Sequence, residues 1–140
     1  MSPHVLSADA RRLLDAANYG HLATLMPDGS PKVEPVWLQR EDNHILVTTD
    51  AKSLKARNVS VDARVALSIT GHLNPYDQLL VRGRVVESRP DSDLAALDEM
   101  AMKYLGTPFP RRKWSNRLVL VIEPHIARHY VSVLRDPRLS

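Results

Sequence analysis

The sequence predicts an α+β domain that is mainly β, with short antiparallel strands closed into a small β-barrel and helices at its periphery. Three observations carry this. Short apolar segments follow one another in hairpin order, separated by turn signals such as "PDGS" at 27–30 and "REDN" at 40–43. Helical spacing is confined to the start of the chain, to a segment after the third strand and to a late stretch. Six or seven short strands in one sheet remove their exposed edges most cheaply by closing on themselves. The 140 residues make one domain, 1–140, and a chain of this size buries roughly two-thirds of its unfolded surface.

The elements follow in order. Ser7 caps a first helix whose Ala10, Leu13, Leu14 and Ala17 share one face, with Asp9 suited to the positive end of the helix dipole and Gly20 as its stop. "HLATLM" (21–26) and "PKVEPVWLQ" (31–39) form a hairpin, and Pro35 marks an edge or bulge because it cannot donate to a ladder. "HILVTT" (44–49), "RVALSIT" (64–70) and "QLLVRGRVVES" (78–88) read as strands, the last bulged at Gly83, and "GHLNPYD" (71–77) as a loop. Asp91 or Ser92 starts a late helix with Leu94, Leu97, Ala101 and Leu105 on one stripe and Gly106 as its stop. "TPFPRRKWSN" (107–116) is a structured loop, and "RLVLVIEP" and "IARHYVSVL" (126–134) close the chain as strands broken at Pro124.

Composition excludes several chemistries. The chain has no cysteine, which removes disulfides, thiolate catalysis and Cys-ligated metal clusters. It contains no G-x-S-x-G, H-E-x-x-H, G-x-G-x-x-G or Walker sequence. His125 and His129 are four apart on a strand, which separates them by roughly 13 Å, so no metal site is expected. The net charge of +3 is a mild tilt towards anions. The basic clusters at Lys52–Arg57 and Arg111–Arg117 are short and not interleaved with stacking aromatics, so neither nucleic acid nor a membrane is an expected partner. The opening residues lack the apolar segment of a signal peptide, and a cytoplasmic location is expected.

One stretch stands out. "TTDAKSLKARNV" (48–59) follows an apolar strand with hydroxyls from Thr48 and Thr49, a potential cap in Ser53, and Lys52, Lys55 and Asn58 at helical spacing. Strand-end hydroxyls, unpaired amides at a helix start and a lysine together suit a phosphate. The same pattern also describes a solvated basic helix turn with Leu54 packed inward.

The neighbouring residues bear on that choice. In order, "LATL" and "DGSP" within 22–31, "PVW" at 35–37, "TT" at 48–49, "SLKARNV" at 53–59, "ARVALSI" at 63–69 and "VRGRVV" at 81–86 span about half the chain. This ordered set resembles the split-barrel flavin-binding superfamily of the pyridoxamine 5'-phosphate oxidases, and looks most like its branch that uses the deazaflavin coenzyme F-420. The resemblance implies a six-stranded antiparallel split β-barrel, a homodimer, and two cofactor sites at the subunit interface. Carried over by position, Lys55 and Asn58 hold the cofactor phosphate with Ser53, Thr48 and Thr49, while Val36 and Trp37 lie along the ring system. Tyr76 approaches the cofactor from a loop, and Arg117 begins the strand near the partner's site. The strand 33–38 lacks the arginine of pyridoxamine phosphate oxidase proper, which argues against vitamin B6 oxidation. Some deazaflavin-binding relatives carry a second basic residue where this chain has Ser53.

Individually, Trp37 reads either as barrel wall or as a substrate platform, and Trp114 either stacks under a guanidinium or lines a pocket mouth. Met100 and Met102 read as packing residues, and His21 as a barrel-end residue. The leading function is an oxidoreductase moving a hydride between F-420 and a small conjugated or aromatic substrate, with no catalytic side chain assigned. The alternatives are an FMN-dependent oxidoreductase on the same fold and a non-enzymatic flavin or haem carrier. FMN ends at its phosphate whereas F-420 continues into an anionic tail, and Lys52, Lys55 and Arg57 supply cations for such a tail.

Overall fold

The computed structural model describes residues 4–132. Seven antiparallel strands form one sheet: β1 (Gly20–Leu25), β2 (Pro31–Val36), β3 (Gln39–Glu41), β4 (His44–Asp50), β5 (Arg64–Thr70), β6 (Asp77–Pro90) and β7 (Arg117–Val131). Their order across the sheet is β2-β1-β5-β6-β7-β4-β3. Helix α1 (Ala8–Asp15) precedes the sheet, α2 (Leu54–Val61) links β4 to β5, and α3 (Ala95–Leu105) links β6 to β7. This is the split-barrel class expected, with one strand more. The extra strand arises because the apolar run ends its pairing at Val36, and Gln39–Glu41 then turns back through Asp42 (φ 53°) onto His44–Leu46.

The core lies between the curved sheet and α1. Ser7 accepts from the Ala10 amide at 3.1 Å, as a helix cap should, and the helix buries Ala10, Leu13 and Leu14 among Leu22, Leu38, Ile69, Leu79 and Ile122. Strand β4 is covered on both faces. Ile45 and Val47 enter this core, while Leu46 packs on the other side with Met100, Val119, Val121 and Trp37. Two-sided burial explains why "HILV" is continuously apolar rather than alternating.

Several local expectations change. α1 stops at Asp15, and Gly20 instead opens β1, where a Cβ would stand 2.7 Å from Leu38 Cδ1. α3 begins at Ala95, not at Asp91 or Ser92; the buried Asp91 carboxylate nevertheless caps it from outside, accepting from the Ala96 and Leu97 amides at 3.0 Å each. The buried face of α3 is Leu97, Met100 and Ala101, while Leu105 and Met102 are exposed. Gly106 ends that helix in the left-handed region at φ 75°.

Strand β7 runs unbroken through Pro124. The proline pairs with Gly83, where the register shifts because β7 carries the extra residue His125, and a side chain at position 83 would collide with the Glu123 carbonyl; β6 has its own extra residue further on, at Val86. The bulge therefore sits where the ladder already lacks a donor. The tail of the expected last strand beyond Ser132 lies outside the described residues.

Candidate functional site

The last residues of β4 and the first residue of β7 are cross-strand partners, with Asp50 opposite Arg117 and Thr48 opposite Val119. This pairing brings the start of β7 beside the junction that leads into α2. At that junction Ser53 caps α2 by accepting from the Ala56 amide at 3.2 Å, and its hydroxyl lies 2.8 Å from that of Thr49. Both hydroxyls are thus engaged in shaping the turn. Asp50 receives the Lys52 amide at 2.8 Å and the Trp114 indole N–H at 2.6 Å, and these bonds hold its carboxyl below the usual range.

A cleft of about 380 Å³ opens here, within the usual size range for small-molecule sites. Its floor and one wall are Pro35, Val36 and Trp37 from the end of β2, Thr48 from β4 and Leu97 from α3. Tyr19, from the loop before β1, and Phe109 and Trp114, both from the loop between α3 and β7, add aromatic surface, and Lys55 and Arg117 supply positive charge. Among the described residues, the lining contains no carboxylate and no imidazole.

The aromatic rings form a continuous file. Tyr19 stacks on Tyr104 at 5.6 Å and Tyr104 on Trp37 at 5.1 Å. Trp37 meets Phe109 edge-on at 6.1 Å, and Phe109 meets Trp114 at 5.9 Å. Tyr104 is fixed at its far end, where its hydroxyl donates to the Asn18 carbonyl at 2.6 Å and accepts from the Leu38 amide at 3.0 Å. Burial pushes its phenol above the ordinary value. The loop carrying Phe109 and Trp114 is tied to α3 through Asp98, which accepts from the Phe109 amide and both Arg112 guanidinium nitrogens.

The two cations differ in state. Arg117 is 8% exposed, and its Nε is buried without a hydrogen-bond partner. Its guanidinium lies 4.4 Å from the Trp114 ring centroid, and desolvation lowers its pKa from the ordinary arginine value. A buried donor without an acceptor costs free energy unless something supplies that acceptor. Lys55 instead has a partner, with its ammonium 3.0 Å from Glu34 Oε1, and Glu34 Oε2 lies 3.1 Å from Lys32.

Of the residues expected from sequence, Val36, Trp37, Thr48, Lys55 and Arg117 meet in this cleft, with Thr49 and Ser53 adjoining it through the turn. Asn58 is buried on the other side of α2. Its amide donates to Thr24 Oγ1 at 3.0 Å and contacts Met26 Sδ at 3.3 Å, and it lines a separate recess with Arg57. Tyr76 is in the loop before β6, with its carbonyl receiving the Ser132 amide, and does not line the cleft of its own chain. Trp114 has both of the expected features, since Arg111 lies 4.0 Å from its ring centroid and it also lines the cleft. The sequence gives no site role to Tyr19 or Phe109, and Leu97, expected only on the apolar stripe of the late helix, also reaches the cleft. Phe109, the chain's one phenylalanine, set between two prolines in a loop, was the readable signal among them.

A second recess, of about 450 Å³, lies on the outer face of β1, β5, β6 and β7. His21, Ala23, Val33, Leu80 and Ile126 line it, with Arg82 and Arg128 among its polar groups. His21 therefore faces outward from the sheet rather than closing the barrel end. Val33 and Leu80 are 65% and 46% exposed, which is unusual for apolar side chains grouped on one face.

Comparison with known proteins gives a consistent picture. The profile of the pyridoxamine 5'-phosphate oxidase family matches residues 6–130. A solved F-420 reductase shares 32% identity over 84% of this chain and 94% of its own, with a TM-score of 0.78. A conserved hypothetical protein of Mycobacterium tuberculosis is 22% identical over 92% of this chain and 86% of that one, with a TM-score of 0.74. General stress protein 26 of Bacillus anthracis is 20% identical over 91% and 96% of the two chains, with a TM-score of 0.67. The last two show shared fold alone. No curated protein matches the chain.

Proposed function

The chain belongs to the pyridoxamine 5'-phosphate oxidase family, and from that membership we propose an oxidoreductase that moves a hydride between the deazaflavin coenzyme F-420 and a small conjugated or aromatic substrate. The fold is the flavin-binding oxidoreductase fold of this family. The observation that carries the finer reading is the unpartnered, buried Nε of Arg117, which shares with Lys55 a cleft walled by Trp37, Phe109 and Trp114. Aromatic walls suit a planar ring system, and two cations among the lining residues suit an anionic group attached to it. The similarity to an F-420 reductase favours the deazaflavin over FMN, as does the exposed Lys52 at the turn leading into α2, whereas Arg57 faces the separate recess with Asn58.

When bound, the coenzyme supplies the hydride chemistry. The chain's own part is to orient. Trp37, held flat by Tyr104, forms one wall against which a ring can lie, while Lys55 and Arg117 anchor the phosphate end, with Thr48 alongside. Fixing both ends of a flat ligand limits its approach to a second molecule to one geometry. Among the described residues lining the cleft there is no imidazole or carboxylate, which supports a mechanism in which any proton comes from solvent.

A homodimer is part of the proposal. The exposed apolar recess around Val33 and Leu80 suits a second copy of the chain, and in a pair Tyr76 would be free to complete the partner's cleft. Sedimentation showing only a 15.7 kDa species at micromolar concentration would rule the pair out. The central experiment is calorimetric titration with F-420 and FMN side by side. Tighter binding of F-420 is expected; binding of FMN alone would move the assignment to an FMN enzyme, and binding of neither would end the flavin reading.

A further inference from the structure

Strand β2 places Lys32 and Glu34 on the same face, and α2 brings Lys55 over that face from the far side of the cleft junction. The Glu34 carboxylate lies between the two ammonium groups, at 3.1 Å from Lys32 and 3.0 Å from Lys55. All three side chains are largely buried, at 27%, 28% and 17% exposure, so their charges are only partly screened by water. Burial alone would push the Glu34 carboxyl up, but its bonds to Lys55 and Lys32 outweigh that and hold it below the usual range, so it is ionised at neutral pH. Lys55 lines the cleft and Glu34 does not. Glu34 therefore stands behind the lysine that meets the ligand.

The trio of Lys32, Glu34 and Lys55 carries one net positive charge, not two. An anion docked on Lys55 would share that ammonium with Glu34 and be repelled by the carboxylate in proportion to the anion's own charge. A phosphomonoester carries close to two negative charges at neutral pH, and a phosphodiester carries one. We propose that Glu34 is a specificity-determining residue which tunes the Lys55 cradle to a singly charged phosphodiester and against a doubly charged phosphomonoester. This rests on the cradle reading of Lys55 given above. It adds that a side chain outside the cleft selects the class of phosphate, and that it keeps the ligand dissociable by holding part of the lysine's charge for itself.

The test compares wild type with Glu34→Gln, Glu34→Ser and Lys55→Ala, using FMN as the phosphomonoester probe, riboflavin 5'-methyl phosphate as the singly charged phosphodiester probe and riboflavin as the uncharged reference, with dissociation constants measured by calorimetry at pH 7.5. The proposal expects Glu34→Gln to tighten FMN by about tenfold, the methyl phosphodiester by clearly less, and riboflavin not at all. Glu34→Ser, which restores no hydrogen-bonding amide to the lysines, should give the same order, and a thermal melt identifies a variant that has not folded. Equal change for all three probes, or unchanged or weaker FMN binding, would overturn the proposal. Lys55→Ala separates the two readings. If it leaves both phosphate-bearing probes unaffected, the cradle itself is wrong. If it weakens both while the Glu34 variants change nothing, only the role of Glu34 falls.

Discussion

Trp37 and Tyr104 lie parallel, with 5.1 Å between ring centroids and 3° between planes, and the phenol of Tyr104 is hydrogen-bonded to the backbone on either side of it. The cleft wall is thus held by a residue on α3 that does not itself line the cleft. Tyr104→Phe would leave the Leu38 amide and the Asn18 carbonyl without that partner, so a stability loss of about 1–3 kcal/mol is expected in urea unfolding. Ligand affinity should change little in that variant. Tyr104→Ala should do more, weakening ligand binding as well, because Trp37 then loses its backing.

Arg117 offers a case where stability and binding part company. Its buried, desolvated guanidinium has an orphaned donor, and replacing such a group by an apolar side chain of similar length is often neutral or stabilising. Arg117→Met should therefore melt at the same temperature as wild type or higher, while losing at least tenfold in affinity for an anionic ligand. A clear loss of stability would show that the arginine is mainly structural.

Lys103 gives a pH dependence. Its ammonium donates to the Leu14 and Leu38 carbonyls at 2.7 Å each, and burial pushes its pKa from 10.5 down to about 8. Because the folded value lies below the unfolded one, folding penalises the charged form. The penalty is fully present below about pH 8 and is relieved as pH rises towards 10.5. Relative to Lys103→Met, wild type should gain stability over that window, by at most about 3 kcal/mol. Denaturant midpoints for the two proteins from pH 7 to 10.5 check this; a constant difference would contradict it.

Histidine substitutions should be mild in the chemical step. His129 is committed to Asp77 at 2.6 Å and faces Asp9 at 3.6 Å, His21 lines the outer recess, and His72 is exposed in a loop. Changing each to Ala and measuring single-turnover oxidation of bound reduced coenzyme should show no loss approaching a thousandfold, the range of a true general acid or base. His129→Ala should lower stability instead, since it leaves Asp77 with Arg12 alone.

Features set by short-range rules were readable in advance. Ser7 and Ser53 cap helices because their hydroxyls reach amides three residues on, Gly106 ends α3 in a left-handed turn, and Gly83 marks the bulge. Lys55, Trp37 and Arg117 were found together because the resemblance lent them a common frame. What could not be read were pairings between distant segments. Nothing local in "LQRED" says that Leu38 will bond to Tyr104, and nothing in "PKVEPVW" says that Glu34 will meet Lys55. Asn58 shows the opposite error, because its helical spacing from Lys55 suggested a shared face, whereas the side chain is drawn to Thr24. Pro124 looked like a strand break, and was not, because the compensating glycine lies on a different strand.

The file of rings through the cleft also makes the protein its own optical reporter. The chain has two tryptophans, Trp37 and Trp114, and both line the cleft. No indole elsewhere contributes background emission, so the intrinsic tryptophan signal reports on this one place. A flavin or deazaflavin bound there absorbs where indoles emit and lies within contact distance of both, so emission should be quenched almost completely at saturation. Trp37→Phe and Trp114→Phe each leave a single emitter, and the pair of titrations would show which end of the cleft a ligand occupies without any label attached to it.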